Sequence, residues 1–199
     1  MLIDGKSRIM EAAKQVICRN GIAGATMRGI AEEAGLSTGA IYHYYKSKEE
    51  ILYEVMNQSL SESSRIAEKS QDGKLSGEEI AEEIYKNIIK RFHKEKENRM
   101  QFYLAHEAML GDNELKERFK EKYSEWITRT EELMQYMYGK EPTKYNKAFA
   151  TLLIGTIDGV VMQLLLGANP AGIDEITEIY HHILKEGIPK FLNYLENIE

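Results

Sequence analysis

The chain has 199 residues, 43% of them hydrophobic, enough for one large helical domain or for a small domain joined to a larger one. No apolar run reaches the ~18 residues that span a bilayer, and residues 1–14 carry Asp4 and Glu11 without an uninterrupted apolar block, so neither a membrane span nor a signal peptide is expected. The net charge of −6 argues against a nucleic-acid partner until its distribution is read: residues 1–48 hold seven Lys/Arg against four acids, and the remainder holds 19 against 28.

The periodicity is helical throughout, and no period-2 strand of useful length is found. Ile9, Ala12, Ala13, Val16 and Ile17 follow the i, i+3, i+4, i+7, i+8 spacing of one helix face, and Asn20-Gly21 stops that helix. Thr26 caps a short helix through Ala34; Gly35 breaks it; Ser37 or Thr38 caps a helix to about Tyr45. Ser47-Lys48-Glu49-Glu50 is a capping box that opens a fourth helix, ending at the polar stretch Ser70-Gln71-Asp72-Gly73. A second box, Ser76-Gly77-Glu78-Glu79, opens a helix with Ile80, Ile84, Ile88 and Phe92 inward. A helix over residues 98–110 follows. A long one capped by Asp112 carries Leu115, Phe119, Tyr123, Trp126, Ile127, Leu133, Met134 and Met137. Pro142 opens another, to Leu166, and the last helix carries Ile173, Ile176, Ile179, Tyr180, Ile183 and Leu184, with Pro189 set to kink or restart it. The expected fold class is all-α, with about nine helices.

The informative stretch is TMRGIAEEAGLSTGAIYHYYKSK, from Thr26 to Lys48. Two short helices crossing near a right angle need a small residue at the crossing, here Ala31, and a turn residue tolerant of positive φ, here Gly35. Ile30, Ala34, Leu36, Ala40, Ile41 and Tyr45 form an inward apolar set. Thr38, Gly39, Tyr42, His43 and Tyr44 are then left to face outward, with short polar and aromatic chemistry suited to base edges and phosphates.

This segment resembles the TetR-type helix-turn-helix. Thr26, Ile30, Ala31, Ala34, Gly35, Ser37, Gly39, Ile41, Tyr42, Tyr44, Tyr45, Lys48 and Ile51 stand at matching places. Tyr45 replaces the commoner Phe and Ile51 the commoner Leu, each keeping a bulky apolar residue. The resemblance covers roughly residues 3–63. It implies an N-terminal three-helix DNA-binding domain over 3–63 and a helical ligand-binding and dimerisation domain over 64–199.

The resemblance also implies roles on DNA. Thr26 would meet a phosphate while capping its helix, and Arg28 would reach a guanine edge or a phosphate. Ser37, Thr38 and Gly39 lie at the start of the second helix, with Thr38 and Gly39 approaching bases. Tyr42 would contact phosphate, and His43 and Tyr44 phosphate or bases. Lys48 would set its ammonium on the backbone. Lys46 and Lys48 also read as surface lysines.

Proteins of this type are homodimers. The helix over 143–166, about 36 Å long at 1.5 Å per residue, is nearly apolar all round, so its own core covers one side and a symmetric partner the other. Gly155 and Gly159 would admit a second backbone. A two-fold dimer implies a palindromic double-stranded operator.

The family also implies a small-molecule effector bound among the middle helices. Tyr103, His106, Trp126 and Asp158 bring polar atoms to mostly apolar faces and are the candidate pocket residues. Asp158 has three open readings: a buried partner, solvent at the dimer edge, or a ligand group.

The expected function is transcription regulation, as an effector-released repressor in the cytoplasm. The alternative is an activator, or a dimer that answers to a protein partner without a small ligand. Catalytic residues, metal and cofactor are all expected to be none. His43, His93, His106, His181 and His182 form no HExxH or ExxH pair, and no GxSxG, glycine-rich phosphate loop or CxxC occurs.

Overall fold

A computed structural model of the chain describes residues 5–60, 65, 66, 68, 70 and 75–198. The boundary expected between 63 and 64, and the punctuation expected at 71–73, lie outside the described residues. No strand occurs among the described residues, and the chain is all-α. It forms two compact units, one of Met1–Leu60 with Lys96–Phe119, the other of Ser61–Glu95 with Lys120–Glu199. Residues 96–119 therefore group with the N-terminal segment and not with the rest of the body.

The first unit begins with α1 (Gly5–Gly24), whose buried face is Ile9, Met10, Ala12, Ala13, Val16 and Ile17. The helix breaks at Gly21 (φ 72°), where Asn20-Gly21 was expected to stop it, and a further turn reaches Gly24. Next come α2 (Met27–Glu33) and α3 (Thr38–Ile41). Regular helix in α3 ends at Ile41, short of the expected Tyr45. The chain continues through tighter bonds, His43 N–H to Ala40 O at 3.2 Å and Tyr44 N–H to Ile41 O at 3.0 Å.

α4 (Lys48–Leu60) is capped as its Ser-x-x-Glu pattern predicts on one side: Glu50 N–H donates to Ser47 Oγ at 3.2 Å. On the other side the Glu50 carboxylate takes the N–H of Lys46, not that of Ser47, at 2.5 Å. Ile9, Ile30, Ile41, Ile51, Leu52 and Met56 are all fully buried, each contributing about 1.5–3 kcal/mol to the unit's core. α6 (Glu95–Leu110) adds Met100, Leu104 and Ala108, and the first residues of α7 (Asn113–Tyr138) add Leu115 and Phe119.

The second unit holds α5 (Gly77–His93), with a complete capping box between Ser76 and Glu79. Ile80, Ile88 and Phe92 are buried, and Ile84 packs beside a cluster of Ile66, Ile80 and Leu133. α8 (Asn146–Leu166) starts three residues later than the expected 143. Its 21 residues are long and apolar enough to cross a membrane, which corrects the expectation that no segment would be. Thr151, Gly155, Thr156, Asp158 and Gly159 interrupt the apolar run without making the helix polar overall.

α9 (Ile173–His182) passes through a π-helical turn, Ile183–Gly187, into α10 (Ile188–Asn197). Taking α9, the turn and α10 as one continuous helix, the described residues form nine. The wide turn answers to Pro189: Ile188 N–H bonds to Ile183 O, five residues back, and Pro189 has no N–H to offer Leu184 O. That carbonyl is satisfied from outside the helix, by the Tyr138 hydroxyl at 2.6 Å. Burial pushes the Tyr138 phenol well above its ordinary range, so it stays a donor.

Candidate nucleic-acid interface

Helices α2 and α3 are short, and their ends are fixed by side chains. Gly29 N–H donates to Thr26 Oγ1 at 3.0 Å, and Ala40 N–H donates to Ser37 Oγ at 3.1 Å. Between them Gly35 turns the chain at φ 65°. Arg8, on α1, reaches across to this turn, its guanidinium donating to Ala34 O at 2.5 Å. A cation on the carbonyl that ends α2 suits both the unpaired acceptor and the helix dipole. Nothing in the local sequence around Arg8 marks it for this task.

Exposure separates the residues into two sets. Ile30, Ala31, Ala34, Ile41 and Tyr45 are buried, while Leu36 and Ala40 are half-buried. Thr26, Arg28, Ser37, Thr38, Gly39, Tyr42, His43 and Tyr44 are exposed. Tyr42 is 53% exposed, so its ring and hydroxyl are open to a ligand. Tyr44 lies against α1, where a Cβ on Gly5 would meet its hydroxyl.

Arg28 is fully in solvent and pairs with Glu32 at 2.9 Å, one helical turn on. The hydrogen bond and charge of Glu32 raise the guanidinium further above its ordinary value. Arg19 pairs with Glu33 in the same way across helices.

Lys48 differs from the rest. Its side chain is only 18% exposed, and the ammonium sits 3.8 Å from Glu49 and 3.4 Å from the Tyr103 hydroxyl of α6, over the Tyr103 ring. Two residues on, Glu50 is held by α7. Arg118 Nη2 donates to Glu50 Oε1 at 2.9 Å and to Glu114 at 2.9 Å. Tyr53 donates to the backbone oxygen of Arg118 at 2.9 Å and stands edge-on to Phe119. The capping pattern singled out Glu50; its partner Arg118 lies 68 residues away and left no local signal.

The four candidate pocket residues divide between the units. Tyr103 and His106 belong to the first, Trp126 and Asp158 to the second. Tyr103 faces Lys48, and His106 is exposed beside Glu107. Asp158 has half-buried partners: the Tyr123 hydroxyl donates to it at 2.6 Å, and Arg91 approaches at 3.5 Å. That arrangement answers the cost of a carboxylate on an apolar helix. Trp126 packs edge-on to Tyr123, its indole N–H buried and without an acceptor among the described residues. No cluster of His, Cys, Asp and Glu suited to a metal ion occurs among the described residues.

Comparison with known proteins agrees with this geometry. Residues 9–55 match the family model described as bacterial regulatory proteins, tetR family. The uncharacterised HTH-type transcriptional regulator YfiR of Bacillus subtilis is 38% identical over 65 residues, a match that spans only about a third of either protein (33% of this chain, 32% of that one). The HTH-type transcriptional repressor AcnR of Corynebacterium glutamicum is 21% identical over 183 residues, covering 88% of this chain and 90% of its own. The structure of the transcriptional regulator FadR from Bacillus subtilis in complex with stearoyl-CoA superposes with a TM-score of 0.64 at 22% identity, over 90% of this chain and 97% of that one. The helix-turn-helix segment thus carries the signature of the tetR family of bacterial regulatory proteins, and the whole length of the chain shares the fold of these solved regulators.

Proposed function

We propose that the protein is a DNA-binding transcription regulator of the cytoplasm, a repressor that binds a palindromic operator as a homodimer and is released by a small-molecule effector. The observation that carries the DNA reading is the sorting of residues 26–45. Every residue suited to bases or phosphates in this stretch lies in solvent, above a set of buried apolar residues that fixes the turn. Thr26, Arg28, Tyr42, His43 and Tyr44 supply donors to phosphate or base edges, and Ser37, Thr38 and Gly39 permit close approach at the start of α3. Lys48 reaches a phosphate by leaving Tyr103.

The dimer reading rests on apolar surface left exposed among the described residues. Leu152, Leu166, Ile179, Phe191 and Tyr194 are all exposed on α8, α9 and α10. A Cβ on Gly155 or Gly159 would meet nothing within 4 Å, so both positions are open to a second backbone. A second copy covers these faces where a membrane would cover α8 alone, and the polar residues of α9 and α10 do not suit lipid. The effector reading rests on the relative solved with stearoyl-CoA and on the buried donor of Trp126 beside Tyr123 and Asp158. An effector lowers operator affinity only by its preference for the DNA-incompetent state.

Selection of bound duplexes from a random pool, followed by anisotropy titration of the enriched site, tests the DNA reading. An enriched inverted repeat bound by two copies supports it, and failure to enrich any sequence refutes it. A thermal-shift screen over metabolite classes tests the effector. Stabilisation by one class with loss of operator binding supports release, whereas operator binding unmoved by every stabilising compound favours a regulator without a small ligand.

A further inference from the structure

The exposed face of α2 and α3 is continued by the short link into α4, and one carboxylate fixes that link. Glu50 Oε2 accepts the backbone N–H of Lys46, two residues beyond Tyr44. Glu50 Oε1 accepts from Arg118, on α7. The carboxylate is about four-fifths buried, and Arg118 is itself held at both ends. Its backbone oxygen takes the Tyr53 hydroxyl, and its guanidinium lies 5.4 Å over the Tyr53 ring. A side chain 68 residues away in sequence is thus one carboxylate from the backbone that follows the DNA-facing tyrosines.

We propose that Arg118 is a positioning residue for operator binding: it holds Glu50, and through Glu50 the Lys46 amide and the path of the chain between Tyr44 and α4. The inference rests on the DNA reading above. Arg118 touches no DNA in this scheme. It fixes a geometry that tyrosine and lysine contacts to phosphate require, since a donor displaced by about 1 Å loses most of a hydrogen bond. Without the Arg118 charge, Glu50 keeps its cap but loses the partner that orients its plane. The Lys46 N–H then opens more often, and the register of Tyr42, Tyr44 and Lys48 on the backbone is spread over several arrangements. The DNA-binding head would therefore be a larger object than its helix-turn-helix, including residues 96–119.

The test is operator affinity of the full chain by anisotropy at several salt concentrations, with Arg118→Gln, Arg118→Lys and Glu114→Gln. Expected is a roughly 3- to 30-fold loss for Arg118→Gln at every salt concentration, with the salt slope unchanged. Arg118→Lys recovers most of the affinity because a cation is restored to Glu50. Glu114→Gln, which removes only the pair within α7, stays within about twofold of wild type.

Amide hydrogen exchange in the absence of DNA supplies the second readout: the Lys46 amide loses protection in Arg118→Gln and keeps it in Glu114→Gln. Wild-type affinity in Arg118→Gln overturns the proposal, as does a slope reduced by about one, which would mean direct phosphate contact. Equal losses in Glu114→Gln would assign the effect to α7 as a whole and overturn it too. If the wild-type protein binds no duplex, the functional reading fails, while the exchange experiment still decides whether Arg118 holds the Lys46 amide.

Discussion

Replacing Gly35 with alanine tests how the helix-turn-helix is closed. Gly35 has φ 65°, a conformation that costs a residue with a Cβ about 1–2 kcal/mol. The new Cβ would lie 3.2 Å from Arg8 Nη2, tighter than ordinary contact, so the guanidinium must shift. That shift puts its bond to Ala34 O at risk, and hydrogen bonds from charged groups contribute about 1.5–3 kcal/mol. The total for Gly35→Ala is roughly 2.5–5 kcal/mol.

Gly21 provides the comparison, with φ 72° and nothing within 4 Å of an added Cβ, so Gly21→Ala carries the backbone term alone, about 1–2 kcal/mol. At about 2–4 °C per kcal/mol for a chain of this size, thermal unfolding separates the two. In an Arg8→Ala background the excess cost of Gly35→Ala should vanish. Equal melting shifts for Gly35→Ala and Gly21→Ala, or an excess that persists without Arg8, would refute the clamp.

Tyr42→Ala and Lys48→Ala should both weaken operator binding across sequences in anisotropy titrations while sedimentation shows the assembly unchanged; Lys48→Ala should also reduce the salt slope by about one. Affinity like wild type in both variants would sink the docking scheme. Leu152→Glu, on the exposed face of α8, should dissociate the proposed homodimer. Two buried leucines at about 1.5–3 kcal/mol each predict a dimer at least 100-fold weaker by analytical ultracentrifugation, and an undiminished dimer would place the interface elsewhere. Tyr138→Phe removes the donor to Leu184 O and should destabilise the fold by about 1–3 kcal/mol, read as a lower melting temperature. An unchanged melting temperature would mean that another donor serves that carbonyl.

Much of the fold is written in short-range pattern. The caps at Thr26, Ser37 and Ser47 hold donors only three residues away, and the inward face of α1 repeats every three or four residues. Interactions of that range depend on local backbone alone, so the residue string specifies them. The same string separates exposed Thr38, Tyr42 and His43 from buried Ile30, Ala31 and Ile41, because burying one set of a short helix exposes the other. It overextends α3 to Tyr45, since nothing local distinguishes its last regular turn from the tighter turn that follows.

Helix packing settles which residues far apart in the chain become partners. Arg8 meets Ala34 across 26 residues, Lys48 meets Tyr103 across 55, and Glu50 meets Arg118 across 68. For Asp158 the structure supplies half-buried partners within the protein, with Tyr123 35 residues away and Arg91 67 away. Periodicity shows which face of a helix turns inward, but which donor then meets which acceptor depends on how helices pack. The helix-turn-helix was therefore legible from Thr26 to Tyr45 as a motif, whereas the contacts that hold it in place come from α1, α6 and α7, brought beside it only by the packing of the first unit.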